Sequence, residues 1–169
     1  MKGEKNKRIA IVPGSFDPIT IGHIDILKRA SNIYDKVYLA LLINPDKEYL
    51  FDTETRIEIA RLAISDIPNA EVVYSDGMLY ALARELSCRA IIKGVRNETD
   101  FVYEMKMARY NKELAPEIET IFLPCDDKMA EISSTLVRSL ISEGKENEAE
   151  KILPRGTIDI IKKRGFCFK

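Results

Sequence analysis

The chain's only histidine, His23, closes the run Pro13-Gly14-Ser15-Phe16-Asp17-Pro18-Ile19-Thr20-Ile21-Gly22-His23, directly behind a short apolar segment, Ile9 to Val12. An apolar segment that ends in Pro-Gly and leads into a helical pattern places this run between a first strand and a first helix. A helix start offers free backbone N–H groups and the positive end of the dipole, which suits an anion, phosphate above all. Gly14 and Gly22 let the backbone and the helix approach such a ligand closely. His23 falls on the first helical turn, where its ring can reach an anion held above the helix. A histidine satisfied in the core would fit the same position. The run matches neither G-x-G-x-x-G nor G-x-x-x-x-G-K-[ST], so neither a dinucleotide fingerprint nor a P-loop is indicated.

Three further bases follow apolar runs of the same kind. Lys47 comes after Val37 to Ile43, and Lys93 and Arg96 come after the run Arg89 to Ile92. Each alone reads as a solvated surface base. In a parallel sheet, however, all strand exits lie on one rim, so His23, Lys47, Lys93 and Arg96 converge there. That inventory favours phosphate chemistry. Glu104, eight residues beyond Arg96 on a helical stretch, has the reach to take a hydroxyl or pair with a base. A solvated helix glutamate is its plainer alternative. Ser133-Ser134-Thr135 opens a late helical stretch after the last apolar run. Hydroxyls there cap a helix in any case, and at the same rim they also suit a second anion site.

The elements that must carry these residues follow from periodicity. The runs at 9–12, 37–43, 71–74, 89–92 and 119–123 are continuous rather than alternating, which suits strands buried on both faces. Between them apolar residues recur with helical spacing. Ile24, Leu27, Ala30 and Ile33 or Tyr34 form one set. Ile57, Ala60, Leu62 and Ile64 form the next, behind an N-cap at Asp52 or Thr53. Leu79, Leu82, Ala83 and Leu86 form a third, and a fourth helix spans about Glu98 to Leu114, before Pro116. The tail reads as helical to about Ile141, polar from Glu143 to Glu150, and helical again over Ile158 to Lys163. This alternation predicts a doubly wound α/β fold: five parallel strands, helices on both faces, a C-terminal helical tail and one domain, residues 1–169.

Composition sets the outer limits. The 169 residues fall inside the roughly 100–200 expected of one domain, long enough to bury a core without disulfides or a structural metal. Lys+Arg is 26 against Asp+Glu 27, which argues against a nucleic-acid partner, since duplex binding needs a basic stripe. The three cysteines, Cys88, Cys125 and Cys167, are far apart and form no C-x-x-C pair. A reducing cytoplasm is the expected compartment. No apolar run approaches the ~18 residues of a membrane span, so no membrane partner is expected.

Thr20-Ile21-Gly22-His23 resembles the (T/H)-x-G-H motif of the nucleotidyltransferase superfamily. The longer string around it is similar to one family in particular, the bacterial phosphopantetheine adenylyltransferases. The similarity continues at Asn44-Pro45-Asp46-Lys47, Gly77-Met78-Leu79, Lys93-Gly94-Val95-Arg96, Asp100 to Met105 and Ile132 to Arg138. It covers the chain from about Arg8 to Ile141. The resemblance implies a Rossmann-like domain that joins ATP and 4'-phosphopantetheine into dephospho-coenzyme A and pyrophosphate. It implies catalytic roles for His23, Lys47 and Arg96. It also implies ATP contacts at Ser15, Phe16, His23, Gly94, Val95, Arg96 and Glu104. Met129, Ala130, Glu131, Ile132, Ser133, Ser134 and Thr135 complete that implied set, and Ser15, Lys47, Leu79 and Lys93 match acceptor positions. Mg²⁺ arriving with ATP, a homohexamer and inhibition by coenzyme A belong to the same expectation.

The residues agree with that chemistry. A phosphate monoester is largely ionised near neutrality, its second pKa being about 6, so the attacking group needs no general base. What the protein must supply is in-line positioning and neutralisation of charge on the α-phosphate and pyrophosphate. No carboxylate cluster reads as a fixed metal site. Three positions depart from the family pattern: Lys93 stands for the usual arginine, Met129 for a common aromatic and Glu131 for an apolar residue. A cytidylyltransferase or a nicotinamide mononucleotide adenylyltransferase would share the T-x-G-H loop but not the whole motif set. A silent nucleotide-binding regulator would be expected to lack His23 or Lys47. A flavodoxin-like carrier would need a hydroxyl-rich phosphate loop and aromatic flavin stackers, which the first loop does not offer.

Overall fold

The computed structural model describes residues 7–43 and 47–166; Asn44-Pro45-Asp46 and Cys167 lie outside the described residues. Five strands, β1 (Ile9–Gly14), β2 (Lys36–Leu42), β3 (Ala70–Ser75), β4 (Ala90–Val95) and β5 (Glu119–Pro124), form one sheet in the order β3-β2-β1-β4-β5. Every pairing is parallel. Between and after them run α1 (Ile21–Ile33), α2 (Thr53–Ala63), α3 (Leu79–Glu85), α4 (Glu98–Leu114), α5 (Ser134–Ser142), α6 (Glu146–Glu150) and α7 (Thr157–Lys163).

The strands are apolar throughout because both faces are covered. Ala10 and Val12 of β1 point into one core with Ile24, Leu27 and Ala30 of α1, Ile59 of α2, Val137 of α5 and Ile161 of α7. Ile11, between them, points into the opposite core with Leu82 and Ala83 of α3 and with Ala115 and Ile118. Period-two alternation thus sends adjacent residues to two different cores, as expected for a doubly wound sheet. Each fully buried Ile or Leu contributes roughly 1.5–3 kcal/mol by leaving water.

Local signals place the helix starts. Asp52 caps α2 by accepting from the Thr55 N–H at 2.7 Å, and Asn97 caps α4 by accepting from the Asp100 N–H at 2.9 Å. Two expectations need correction. The stretch Glu143 to Glu150 is not merely polar: it holds α6, whose Ala149 is fully buried beneath an otherwise charged turn. In α2 the inward stripe is Thr55, Arg56, Ile59 and Ala60, and Leu62 is 38% exposed. Two buried polar residues shift that helix's phase, which an apolar pattern cannot register.

Strand order reverses between β1 and β4, opening a crevice at their carboxyl ends. Close approach of α1 to β4 keeps that crevice narrow and requires Gly94. A Cβ there would lie 2.8 Å from Ile26 Cγ1 and 3.1 Å from its Cδ1, inside any normal contact. Gly94→Ala should therefore destabilise the fold by about 1–3 kcal/mol through overpacking. Urea unfolding monitored by far-UV circular dichroism checks this, and an unchanged midpoint would contradict it.

Candidate active site

A cavity of about 410 Å³ fills the crevice, walled by the exits of β1, β4 and β5 and by the starts of α1 and α5. Its floor is the turn after β1. Phe16 has a positive φ of 47°, an uncommon conformation for a bulky residue, and its ring folds back over Gly14. A Cβ at Gly14 would collide with that ring at 2.8 Å. Gly22 differs: a Cβ there would meet Thr20 Oγ1 at 3.7 Å and Ile132 at 3.9 Å or beyond, all ordinary contacts. The protein's own packing does not demand glycine at 22, and the residue borders the cavity, so the missing side chain leaves space for a ligand.

His23 sits three residues beyond the α1 cap, Thr20. Its Nδ1 accepts the Thr20 backbone N–H at 3.0 Å and lies 2.9 Å from Thr20 Oγ1. A backbone N–H can only donate, so Nδ1 is the acceptor and the ring proton rests on Nε2. Phe16 stands edge-on to the ring at 5.2 Å. Burial by the cavity walls, with the charges of Arg96 and Lys93 nearby, lowers the His23 pKa to about 4. The ring is neutral at pH 7 and serves as a fixed hydrogen-bond donor.

Cations surround it. Lys47 donates from Nζ to Ser15 Oγ at 3.2 Å, and Lys93 pairs with Glu104 at 3.0 Å. The Arg96 backbone N–H donates to Asp100 Oδ2 at 3.2 Å, and its Nε is 3.6 Å from the same oxygen. At the far side Ser133 caps α5, accepting from the Leu136 N–H at 3.1 Å. Ser134 Oγ donates to the Pro18 carbonyl at 2.8 Å, locking the α5 start to the first loop. Two helix starts, one histidine and the cations Lys47, Lys93 and Arg96 thus face one space.

The structure brings together most of the residues expected from sequence. Ser15, Phe16, His23, Lys47, Lys93, Gly94, Arg96, Glu104, Met129, Ile132, Ser133, Ser134 and Thr135 all line the cavity. Leu79 instead lines a second cavity of about 480 Å³, which adjoins the first and shares Ser15, Lys93 and Glu104 with it. Val95, Ala130 and Glu131 line neither, so the acidic departure at 131 does not enter the crevice. Two residues received no role from sequence. Arg138 reaches the cavity wall from the second turn of α5, donating to the Asp17 carbonyl at 2.8 Å and to Thr135 Oγ1 at 3.0 Å. Its spacing of four from Ser134 was the available signal. Asp17, only 1% exposed, gives no signal in sequence beyond sitting between aromatic and proline.

A parallel crevice with helix starts, a neutral histidine and converging cations is the site of a nucleotidyltransferase, and comparison with known proteins agrees. The cytidylyltransferase-like family matches residues 11–140. The phosphopantetheine adenylyltransferase of Caldanaerobacter subterraneus is 50% identical over 137 residues, 81% of this chain and 86% of that one. That of Clostridium novyi is 42% identical over 159 residues, 94% and 98% of the two chains. Among solved structures, a putative nicotinate-nucleotide adenylyltransferase from Vibrio parahaemolyticus superposes with TM-score 0.72 at 20% identity, covering 95% of this chain and 94% of that one. The chain belongs to the phosphopantetheine adenylyltransferase family, within the cytidylyltransferase-like nucleotidyltransferases.

The His23 environment predicts a pH effect of defined sign. The unfolded ring titrates near 6.5 and the native ring near 4, so between these values the unfolded chain binds more protons. Stability should therefore fall as pH drops from about 6.5 toward 4, by up to about 3 kcal/mol from this group. Urea midpoints of wild type and His23→Gln over that range isolate the effect, because the carboxylates titrate in both. Parallel curves would refute it.

Proposed function

We propose that this chain transfers the adenylyl group of ATP to 4'-phosphopantetheine, releasing pyrophosphate and dephospho-coenzyme A. The observation that carries the reading is the pair of joined cavities, one cationic and one apolar, sharing Ser15, Lys93 and Glu104. The first suits a triphosphate. The second, with Leu42, Ile43, Met78, Leu79 and Met107 in its walls, suits an uncharged chain ending in a phosphate at the shared residues.

The acceptor phosphate, already anionic, attacks the α-phosphorus, and the bond to the bridging oxygen of pyrophosphate breaks. Lys47 and Lys93 hold the acceptor in line. His23 donates its Nε2–H to an α-phosphate oxygen as charge builds there, without giving up the proton. Arg96 and Arg138 receive the β- and γ-phosphates. The cavity carboxylates Asp100 and Glu104 are each engaged by a base, Arg96 and Lys93, so neither is poised as a fixed metal ligand. Mg²⁺ bound to the incoming triphosphate would supply further charge neutralisation beside Arg96 and Arg138. Glu104, held beside Lys93 where the two cavities meet, is placed to accept a ribose hydroxyl.

Coenzyme A combines both chemistries of the joined cavities and is expected to inhibit by occupying them. Phe101 and Val102 of α4 are 42% and 56% exposed, apolar side chains whose burial supports assembly into a homohexamer. No helix among the described residues is long and apolar enough to cross a membrane, in keeping with a cytoplasmic enzyme.

Incubation with ATP, Mg²⁺ and 4'-phosphopantetheine should yield dephospho-coenzyme A by chromatography, whereas pantetheine and nicotinate mononucleotide should yield no adenylylated product. His23→Ala should lower kcat by about 10²–10³, as loss of one preorganised oxyanion donor does. ATP affinity should change far less, since the contact strengthens as charge develops. A variant with near-normal turnover would overturn the role of His23.

A further inference from the structure

Arg56, on the first turn of α2, is 2% exposed, yet it is the largest fully buried side chain described. Its guanidinium meets neutral oxygens. Nη1 donates to the Ser15 carbonyl at 2.9 Å and Nη2 to Thr53 Oγ1 at 3.2 Å, while Nε has no partner. Desolvating a guanidinium in this way is unfavourable unless something else is gained. Its plane stacks on Tyr49 with Cζ 3.9 Å from the ring centroid, and Lys47 Nζ lies 5.7 Å from the same centroid. Lys47 in turn donates to Ser15 Oγ.

The peptide plane shows what is gained. In a trans peptide the Ser15 carbonyl and the Phe16 N–H point in opposite directions. With the carbonyl drawn back onto buried Arg56, the Phe16 N–H faces the other way, and among the described residues it has no acceptor. Ser15 and Phe16 both border the cavity; Arg56 does not.

We infer that Arg56 is a positioning residue. From behind the first loop it aims the Phe16 N–H and Ser15 hydroxyl, and through Tyr49 the Lys47 ammonium, at substrate phosphate. The inference rests on the adenylyl-transfer reading.

The test is a double-mutant cycle. Arg56→Met should lower kcat/KM for the ATP and 4'-phosphopantetheine reaction by about tenfold to a hundredfold, the scale of a small misplacement. Arg56→Lys, which restores the charge and one bond, should recover part of that loss. Combined with Lys47→Ala, Arg56→Met should cost clearly less than it does in the wild type, because part of its effect passes through Lys47. Additive losses, unchanged turnover, or a lysine variant no better than the methionine would overturn the inference. Calorimetric titration of inorganic tripolyphosphate reads the same cycle without an acceptor, and equal affinity in wild type and Arg56→Met would also overturn it. If wild type makes no dephospho-coenzyme A, the activity reading fails, and the titration still judges Arg56. Should Arg56→Met not fold, Tyr49→Leu takes its place in the cycle, and additive losses with Lys47→Ala count against the inference in the same way.

Discussion

With 1% of its surface exposed, the Asp17 carboxylate accepts the backbone N–H groups of Leu50 and Phe51 at 2.9 Å each and stands 3.7 Å from Arg138 Nη1. Three segments meet there: the loop after β1, the approach to α2 that follows Lys47, and the α5 helix. Each brings phosphate-facing groups to the cavity, and none is adjacent to another in sequence. A buried carboxylate saturated by two amide donors and a guanidinium holds its neighbours firmly, because loss of any partner leaves a charge or donor unsatisfied away from water. The same acid thus fixes the distance between His23, Lys47 and Arg138.

Around that clamp the rest of the molecule acts as bracing. Phe51, fully buried beside Asp17, is held on its other side by Phe166, edge-on at 4.7 Å. Arg164 pairs with Glu58 of α2 at 2.7 Å, and the Ile21 N–H donates to the Ile152 carbonyl at 3.1 Å. Helices α6 and α7 and the residues around them therefore support the segment that carries Lys47 and the start of α1, although none of these residues lines the cavity. This explains why a tail remote from the chemistry packs into the principal core rather than lying on the surface.

Much of this was legible in the sequence, and the part that was not has a common physical cause. The five strands, their parallel sense and the rim followed from continuous apolar runs, because a parallel sheet covered on both faces leaves that trace; the strand order did not. His23, Lys47, Lys93 and Arg96 do meet at that rim, although Lys93 lies within β4 rather than beyond it. What escaped were buried polar groups: Asp17, Thr55 and Arg56 look like loop or surface residues, since periodicity reads only apolar burial. The pairing of Lys93 with Glu104 was foreseen only as one option, because it depends on how α4 rotates over β4. Helix α6 escaped because one buried alanine among acidic residues carries too little signal.

A neutral histidine among cations is what the reaction calls for. A protonated ring would be a further cation in the cavity, disfavoured by Arg96 and Lys93 before substrate arrives and bound as strongly to ground-state phosphate as to the transition state. The Thr20 N–H forecloses that state by occupying Nδ1, and burial lowers the pKa to about 4. The remaining Nε2–H is a dipole of fixed direction. On the proposed reaction its interaction with an α-phosphate oxygen would grow as negative charge accumulates there, so its contribution would fall mainly in the transition state. The lysines and arginines that line the cavity would supply, on the same proposal, the strong, less directional attraction that holds two polyanions side by side. Charge for binding and a neutral donor for the step itself are thus carried by different residues, and the cap of a single helix keeps them apart.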